Sequence, residues 1–194
     1  ASEGTTAHIA IMLGVTCGLR RGEICALRWQ DVDLSQGRMY IEHTVYESKG
    51  LQPVKTDKSR RAITLPAATI SALKQQQEQQ AQLRKAAGPA WQELGFVLAR
   101  EDGMHYSPTY VWRQFRSISA AAGLPEARFH DLRHSHATYL LMHDVPIKAV
   151  SERLGHASVA FTLQTYSKVL KPMQEAAASA IDAMLTASDE AGEY

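Results

Sequence analysis

A chain of 194 residues, 45% hydrophobic and 21% charged, has the composition of one soluble globular domain, long enough for a single sizeable core and short for two. No run approaches the roughly 20 apolar residues that cross a bilayer, and the opening ASEGTTAHIA lacks the basic start of a secretory leader, so a cytoplasmic protein without a membrane partner is expected. The net charge of +1 is unevenly placed. All 21 Lys and Arg lie at or before Lys171, whereas Glu175, Asp182, Asp189, Glu190 and Glu193 follow it. A mildly basic body with an acidic tail permits a polyanionic partner without requiring one.

Residues 5–17 read as an apolar helix capped at Thr5 or Thr6 and stopped by Gly18, followed by a short helix over GEICALRW. Cys17 and Cys25, the only cysteines, fall in apolar surroundings there and fit reduced, buried side chains better than a disulfide framework. GRMYIEHTVYE, LQPVK and RRAITL are rich in β-branched and aromatic residues and are parted by turns at 48–50 and 57–59, which predicts one small antiparallel sheet. Pro66 to Gly88 predicts a helix whose glutamine run is a solvated face. Ser107 as N-cap, Pro108 at the first helical position and Gly123 as the stop predict the next helix. Helices over 130–143 and 147–154 are broken by Pro146, a short one follows around 159–166, and Pro172 opens a last one to about Ala187. Trp29, Trp91 and Trp112 are expected in the core. His8, His43, His105 and His143 are expected to be surface or locally bonded residues. The fold class is mainly α with a small antiparallel β-sheet (α+β). Residues 1–171 form the body and 172–194 a helical tail.

The densest chemistry is FHDLRHSHAT, residues 129–138. On a helix, His130, Arg133 and His134 share one face. His130 and His134 have the spacing of a helical zinc pair, but Asp131 stands where a zinc peptidase carries Glu, and the Arg133 guanidinium would repel a cation held between them. No metal is expected. A phosphate suits His-x-x-Arg better, since Arg offers a fixed fork of donors to two oxygens and His offers one more. A helix start bearing His and Arg is nonetheless unremarkable alone. TCGLRRGEICALRW adds Arg20 in a glycine-flanked turn, with Glu23 placed to orient a neighbouring cation. VKTDKSRRAITLP adds Lys55 at a strand end, before a basic turn with Lys58, Arg60 and Arg61, a natural shape for touching a DNA backbone. LGHASVAFTLQTYSKV adds His156 and, ten residues later, Tyr166.

Arg, Lys, His-x-x-Arg, His and Tyr in this order and spacing resemble the catalytic domain of the tyrosine recombinases, the phage-integrase family, from about Thr16 to Lys168. The resemblance implies the recombinase catalytic-domain fold, with Arg20, Lys55, His130, Arg133 and His156 around a scissile phosphate of double-stranded DNA. Tyr166 is then the nucleophile, Glu23 and His134 support it, and Lys58, Arg60 and Arg61 are candidate DNA-backbone contacts. It also implies a site-specific recombinase or integrase that cuts and rejoins DNA through a 3′-phosphotyrosine without cofactor, metal or ATP. Such a protein works at the nucleoid as a homo-oligomer, tetrameric in synapsis. Two departures stand beside the motif: Cys17 where Thr usually precedes Gly-Leu-Arg, and Lys168 where His often follows the nucleophile. A type IB topoisomerase shares the chemistry but reseals the same strand as a monomer, and an idle DNA-binding module of this fold would have lost the tyrosine or an arginine. Family members usually carry an earlier helical domain, so this chain is expected to be part of a longer protein. In the tail, Met173, Ala177, Ile181 and Met184 or Leu185 make one apolar stripe that must be covered either by its own body or by a neighbouring chain, and the resemblance favours docking in trans on a neighbouring protomer.

Overall fold

Helix α1 (Thr6–Cys17) can be apolar on nearly every side because Ala7, Ile9, Ala10, Leu13 and Cys17 are all buried in the centre of the fold. The computed structural model describes residues 6–167, 178–179 and 181–183. After α1 the chain turns at Gly18, in the left-handed region at φ 67°; a Cβ there would lie 2.8 Å from both the His136 ring and the Leu154 side chain. Only glycine permits both the turn and that approach. Helix α2 (Arg21–Ala26) follows and ends earlier than the sequence suggests, because Leu27 is extended and Arg28 forms a bridge with Phe96.

The strands β1 (Val32–Asp33), β2 (Arg38–Ile41), β3 (His43–Tyr46), β4 (Gly50–Pro53) and β5 (Arg61–Thr64) are antiparallel, as expected. They form two sheets rather than one: β1-β2-β5, with the buried pair Met39 and Ile63 in register, and a β3-β4 ribbon. The break falls at exposed Glu42, which leaves the strand between β2 and β3 while its carbonyl still accepts from the Val54 N–H at 2.9 Å. The ribbon therefore carries residues 54–59 beside α2, the element against which β3 packs.

Helix α3 (Ala67–Ala87) exposes Gln75, Gln77, Gln79 and Gln82 as expected, but two of its glutamines turn inward. Gln80 is buried, accepts from the Trp29 indole and donates to the Phe96 carbonyl, while Gln76 donates to the Val97 carbonyl. These two glutamines satisfy the backbone of a buried run, Phe96–Ala99, that has no long strand partner. Helix α4 (Pro108–Ala121) starts as expected, with the Ser107 hydroxyl accepting from the Tyr110 N–H. Helices α5 (Phe129–Met142) and α6 (Ile147–Leu154) match their expected positions, and residues 159–167 are helical. A smaller apolar cluster joins Ala137 and Leu141 of α5, Val150 and Leu154 of α6, and Tyr166. Both cysteines are free and buried, and burial pushes the Cys25 thiol up to about 12. Among the described residues no helix is long and apolar enough to cross a membrane. The start of the tail helix at Pro172 and the stripe residues Met173, Ala177, Met184 and Leu185 lie outside the described residues; Ile181 is helical and 55% exposed.

Candidate active site

Arg133 joins two distant parts of the chain. It is 2% exposed, and its Nη1 and Nη2 donate to the carbonyls of Gly18 (2.7 Å) and Leu154 (2.6 Å). One guanidinium thus ties the α1–α2 turn, which leads into Arg20, to the end of α6, which leads into His156. Burial and the Arg20 charge lower its pKa to about 9, so it stays a cation at neutral pH.

Arg20 sits at the N-cap of α2 with its side chain partly exposed. Its Nη1 donates to Glu23 Oε1 at 2.8 Å, its backbone N–H to Oε2 at 2.9 Å, and its Nη2 to the Gly155 carbonyl at 3.5 Å. Glu23 therefore orients Arg20 as anticipated, but it holds a second cation too. Arg61 Nη2 lies 2.8 Å from Glu23 Oε2. This corrects the reading of Arg61 as a DNA-backbone contact: its side chain is 5% exposed and its nitrogens are engaged by Glu23 and by the carbonyls of Arg153 and Ser59. The reason is electrostatic, since a buried carboxylate demands a paired cation. Burial pushes the Glu23 carboxyl up, but Arg61 and Arg20 more than offset this and bring it to about 2.

The four ring residues occupy different settings. The His130 and His134 rings meet edge-on, 4.6 Å apart, at the start of α5. His134 Nδ1 lies 3.2 Å from the Tyr166 hydroxyl, forming a hydrogen-bonded pair. Tyr166 itself is 4% exposed; burial raises its pKa and the nearby Arg133 pulls it partly back. His156 Nδ1 pairs with the Thr162 hydroxyl at 2.7 Å. Burial and then the charges of Arg133 and Arg20 lower His156 to about 4, and partial burial followed by His134, Arg133 and Arg20 lowers His130 as well. Arg133 and Arg20 thus add a positive field to the effect of burial at both rings. A bound anion would relieve it and favour protonated imidazoles.

Lys55 is exposed, with its Nζ 5.5 Å from the Tyr46 ring centroid, and it lines a small cleft of about 230 Å³ together with Arg20, Glu23, Thr44 and Ser59. A wider cleft of about 780 Å³ runs past Arg20, Arg128, His130 and Trp112. Trp112 departs from its expected core position: it is 39% exposed on the outer side of α4, with the Arg116 guanidinium 5.8 Å from its ring, because Val111 and Phe115 take the inward positions. Trp29 packs partly buried against the core, whereas Trp91 is half-buried outside it. Of the hairpin cations, Arg60 is exposed and Lys58 Nζ donates to the Ala157 carbonyl at 2.8 Å. His105 and His143 are bonded to nearby carbonyls, as expected. Half-buried His43 instead has an Nδ1 without a partner.

Two positioning residues escaped the motif reading. Arg153 donates to His136 Nε2, the Thr64 carbonyl and the Thr16 carbonyl, each at 3.1 Å. His136 Nδ1 faces the Val15 carbonyl at 3.0 Å, so that nitrogen must carry the proton and Nε2 is the acceptor. The ring is thereby fixed neutral, and burial together with Arg153 lowers its pKa to about 4. The pH dependence follows from the sign of the shift. The unfolded chain takes up protons on His136 and His156 below the ordinary 6.5, whereas the folded chain resists until about 4. Their stabilisation is complete above that upper value and lost progressively as pH falls toward the lower one. The melting temperature should drop steadily across this window; a flat profile would contradict the buried neutral rings.

Among the described residues, no three His, Cys, Asp or Glu side chains gather as metal ligands. The cluster is instead a set of cations beside a phenol, on the architecture of a tyrosine recombinase catalytic domain. The crystal structure of XerA recombinase superposes with a TM-score of 0.69 at 24% identity, over 89% of this chain and 56% of that one. The post-cleavage complex of XerH site-specific recombinase with a palindromic difH substrate gives 0.63 at 25% identity, over 88% of this chain and 44% of that one. The profile of the phage integrase family matches residues 1–186, and the chain belongs to that family. Relatives include a tyrosine recombinase XerC-like protein of Caldanaerobacter subterraneus subsp. tengcongensis, 30% identical and covering 88% of this chain and 47% of its own. An integrase of Streptomyces ambofaciens is 33% identical, covering 94% and 49%. The chain spans about half the length of the curated relatives it matches.

Proposed function

We propose that this chain is the catalytic domain of a site-specific DNA recombinase or integrase that cuts and rejoins strands through a 3′-phosphotyrosine. The observation that carries the reading is Arg133, whose bonds to the Gly18 and Leu154 carbonyls draw Arg20, His130 and His156 toward one place next to the His134–Tyr166 pair. In the reaction the Tyr166 oxygen attacks phosphorus and the bond to the 5′ oxygen breaks. The phenolic proton passes to His134, and Lys55 protonates the departing oxygen. Arg20, Arg133, His130 and His156 stabilise charge on the nonbridging oxygens. Conserving the phosphodiester as an ester on tyrosine lets a free 5′ hydroxyl reverse the step without ATP. The names of the relatives, and the solved XerH complex with its DNA substrate, support this reading.

The partner is double-stranded DNA, with exchange between two duplexes in a tetramer and the tail docked in trans on the next protomer. The exposed position of Ile181 is consistent with a stripe that finds its cover elsewhere. The deciding experiment incubates the chain with a nicked substrate in EDTA and resolves the products on a denaturing gel. A covalent protein–DNA adduct is expected at the same yield with and without the chelator. An adduct that vanishes in EDTA and returns with zinc would put a metal in place of the cationic cluster.

A further inference from the structure

Arg61 touches the elements that carry three of the groups invoked above, all from one buried position. Its Nη2 and Nη1 reach Glu23 Oε2 and Oε1 at 2.8 and 3.2 Å, and Glu23 holds Arg20. Its Nε donates to the Arg153 carbonyl at 2.7 Å, three residues before His156. Its Nη1 also donates to the Ser59 carbonyl at 3.0 Å. Ser59 is tied in turn to Thr56, the residue after Lys55, by N–H to carbonyl and hydroxyl to hydroxyl bonds of 2.9 Å each. A simple counter-charge for Glu23 would need one cationic nitrogen. This guanidinium uses its fork on the carboxylate and its remaining directions on two other chain segments, which a lysine cannot reproduce. Gly155 makes room for it: the residue sits at φ 64°, and a Cβ there would lie 2.9 Å from Arg61 Nη1.

We infer that Arg61 is a positioning residue that sets the Lys55 hairpin in place relative to Arg20 and His156, through Glu23, Ser59 and the Arg153 carbonyl. The inference rests on the proposed strand-cleaving role, and it assigns Arg61 no contact with DNA. The second tether between the same segments, Lys58 to the Ala157 carbonyl, is at an exposed residue and cannot substitute for a buried link.

The test compares Arg61→Lys and Gly155→Ala with the unsubstituted chain. Arg61→Lys keeps a charge for Glu23 and loses the bonds to Ser59 and Arg153; Gly155→Ala keeps Arg61 but displaces it, and serves if the first variant does not fold. Single-turnover cleavage at saturating DNA should fall about 100-fold in each, the scale expected when reacting groups shift by about 1 Å. DNA affinity should be unchanged. On DNA with a bridging 5′ sulfur, whose leaving group needs no proton, the loss should shrink to about 10-fold or less, because misplacement of Lys55 no longer matters. Hydrogen exchange over 54–60 should quicken in both variants. Equal losses on the two substrates, unchanged exchange or weakened DNA binding would overturn the inference. If the unsubstituted chain itself forms no adduct, the strand-cleaving reading fails, and the exchange measurement still decides whether Arg61 holds the hairpin.

Discussion

Tyr166→Phe is expected to bind DNA as the unsubstituted chain does and to form no covalent adduct. The substitution deletes one oxygen and leaves the ring in its apolar setting among Ala137, Leu141, Val150 and Leu154. With that oxygen goes the hydrogen bond to His134 Nδ1, 3.2 Å long. A hydrogen bond of this kind contributes about 1 kcal/mol, too little to unfold a domain of this size. The cations that would hold the phosphate are untouched. Binding and chemistry therefore separate cleanly: a gel-shift assay should report equal affinity, and a nicked substrate run on a denaturing gel should show no protein–DNA band. A band persisting in the variant would remove Tyr166 from the role of nucleophile.

Arg133→Lys should have the second largest effect, and it strikes structure and chemistry together. A lysine keeps the charge but cannot place nitrogens at both the Gly18 and Leu154 carbonyls, which now receive donors at 2.7 and 2.6 Å. Leaving a buried carbonyl without a donor costs about 1 to 3 kcal/mol. The melting temperature should fall by several degrees, with the domain still folded. Cleavage should fall further, by about 1,000-fold, since under the proposed function a donor to the phosphate is displaced and the turns bearing Arg20 and His156 are no longer joined. Single-turnover cleavage measured well below the variant's melting temperature separates the two effects. A variant that melts lower but cleaves near the normal rate would leave Arg133 a structural clasp alone.

The residues that the proposed function uses stand out in the sequence because they are chemically costly types in punctuated settings. Arg20 follows a glycine turn, His130 and Arg133 share a helix face, and His156 follows Leu-Gly. What escaped reading were residues whose type suits two opposite environments. Arg60 and Arg61 look alike in KSRRAITL, yet the two-residue period of β5 puts Arg61 on the same face as buried Ile63, and that signal was present in the sequence. Gln76 and Gln80 follow Leu73 by three and seven residues on α3, which places them along its buried edge rather than on the solvated face. Trp112 lies one position past Val111, so helical geometry turns it outward however apolar it is. The division into two sheets depends on Glu42, where a single exposed residue interrupts the pairing, and local sequence carries little trace of that.

The buried Glu23–Arg61 pair also decides how the protein responds to ionic strength. On the proposed function, an exposed cation such as Arg60 would act on DNA across solvent, where added salt screens charges and counterion release weakens binding steeply. Ions do not penetrate to a pair whose two side chains are 5% and 3% exposed. Rising salt is thus expected to lower the fraction of DNA captured while leaving the arrangement around Arg20 intact. Under the proposed function, the rate of cutting a bound strand would be insulated from the medium that governs its arrival.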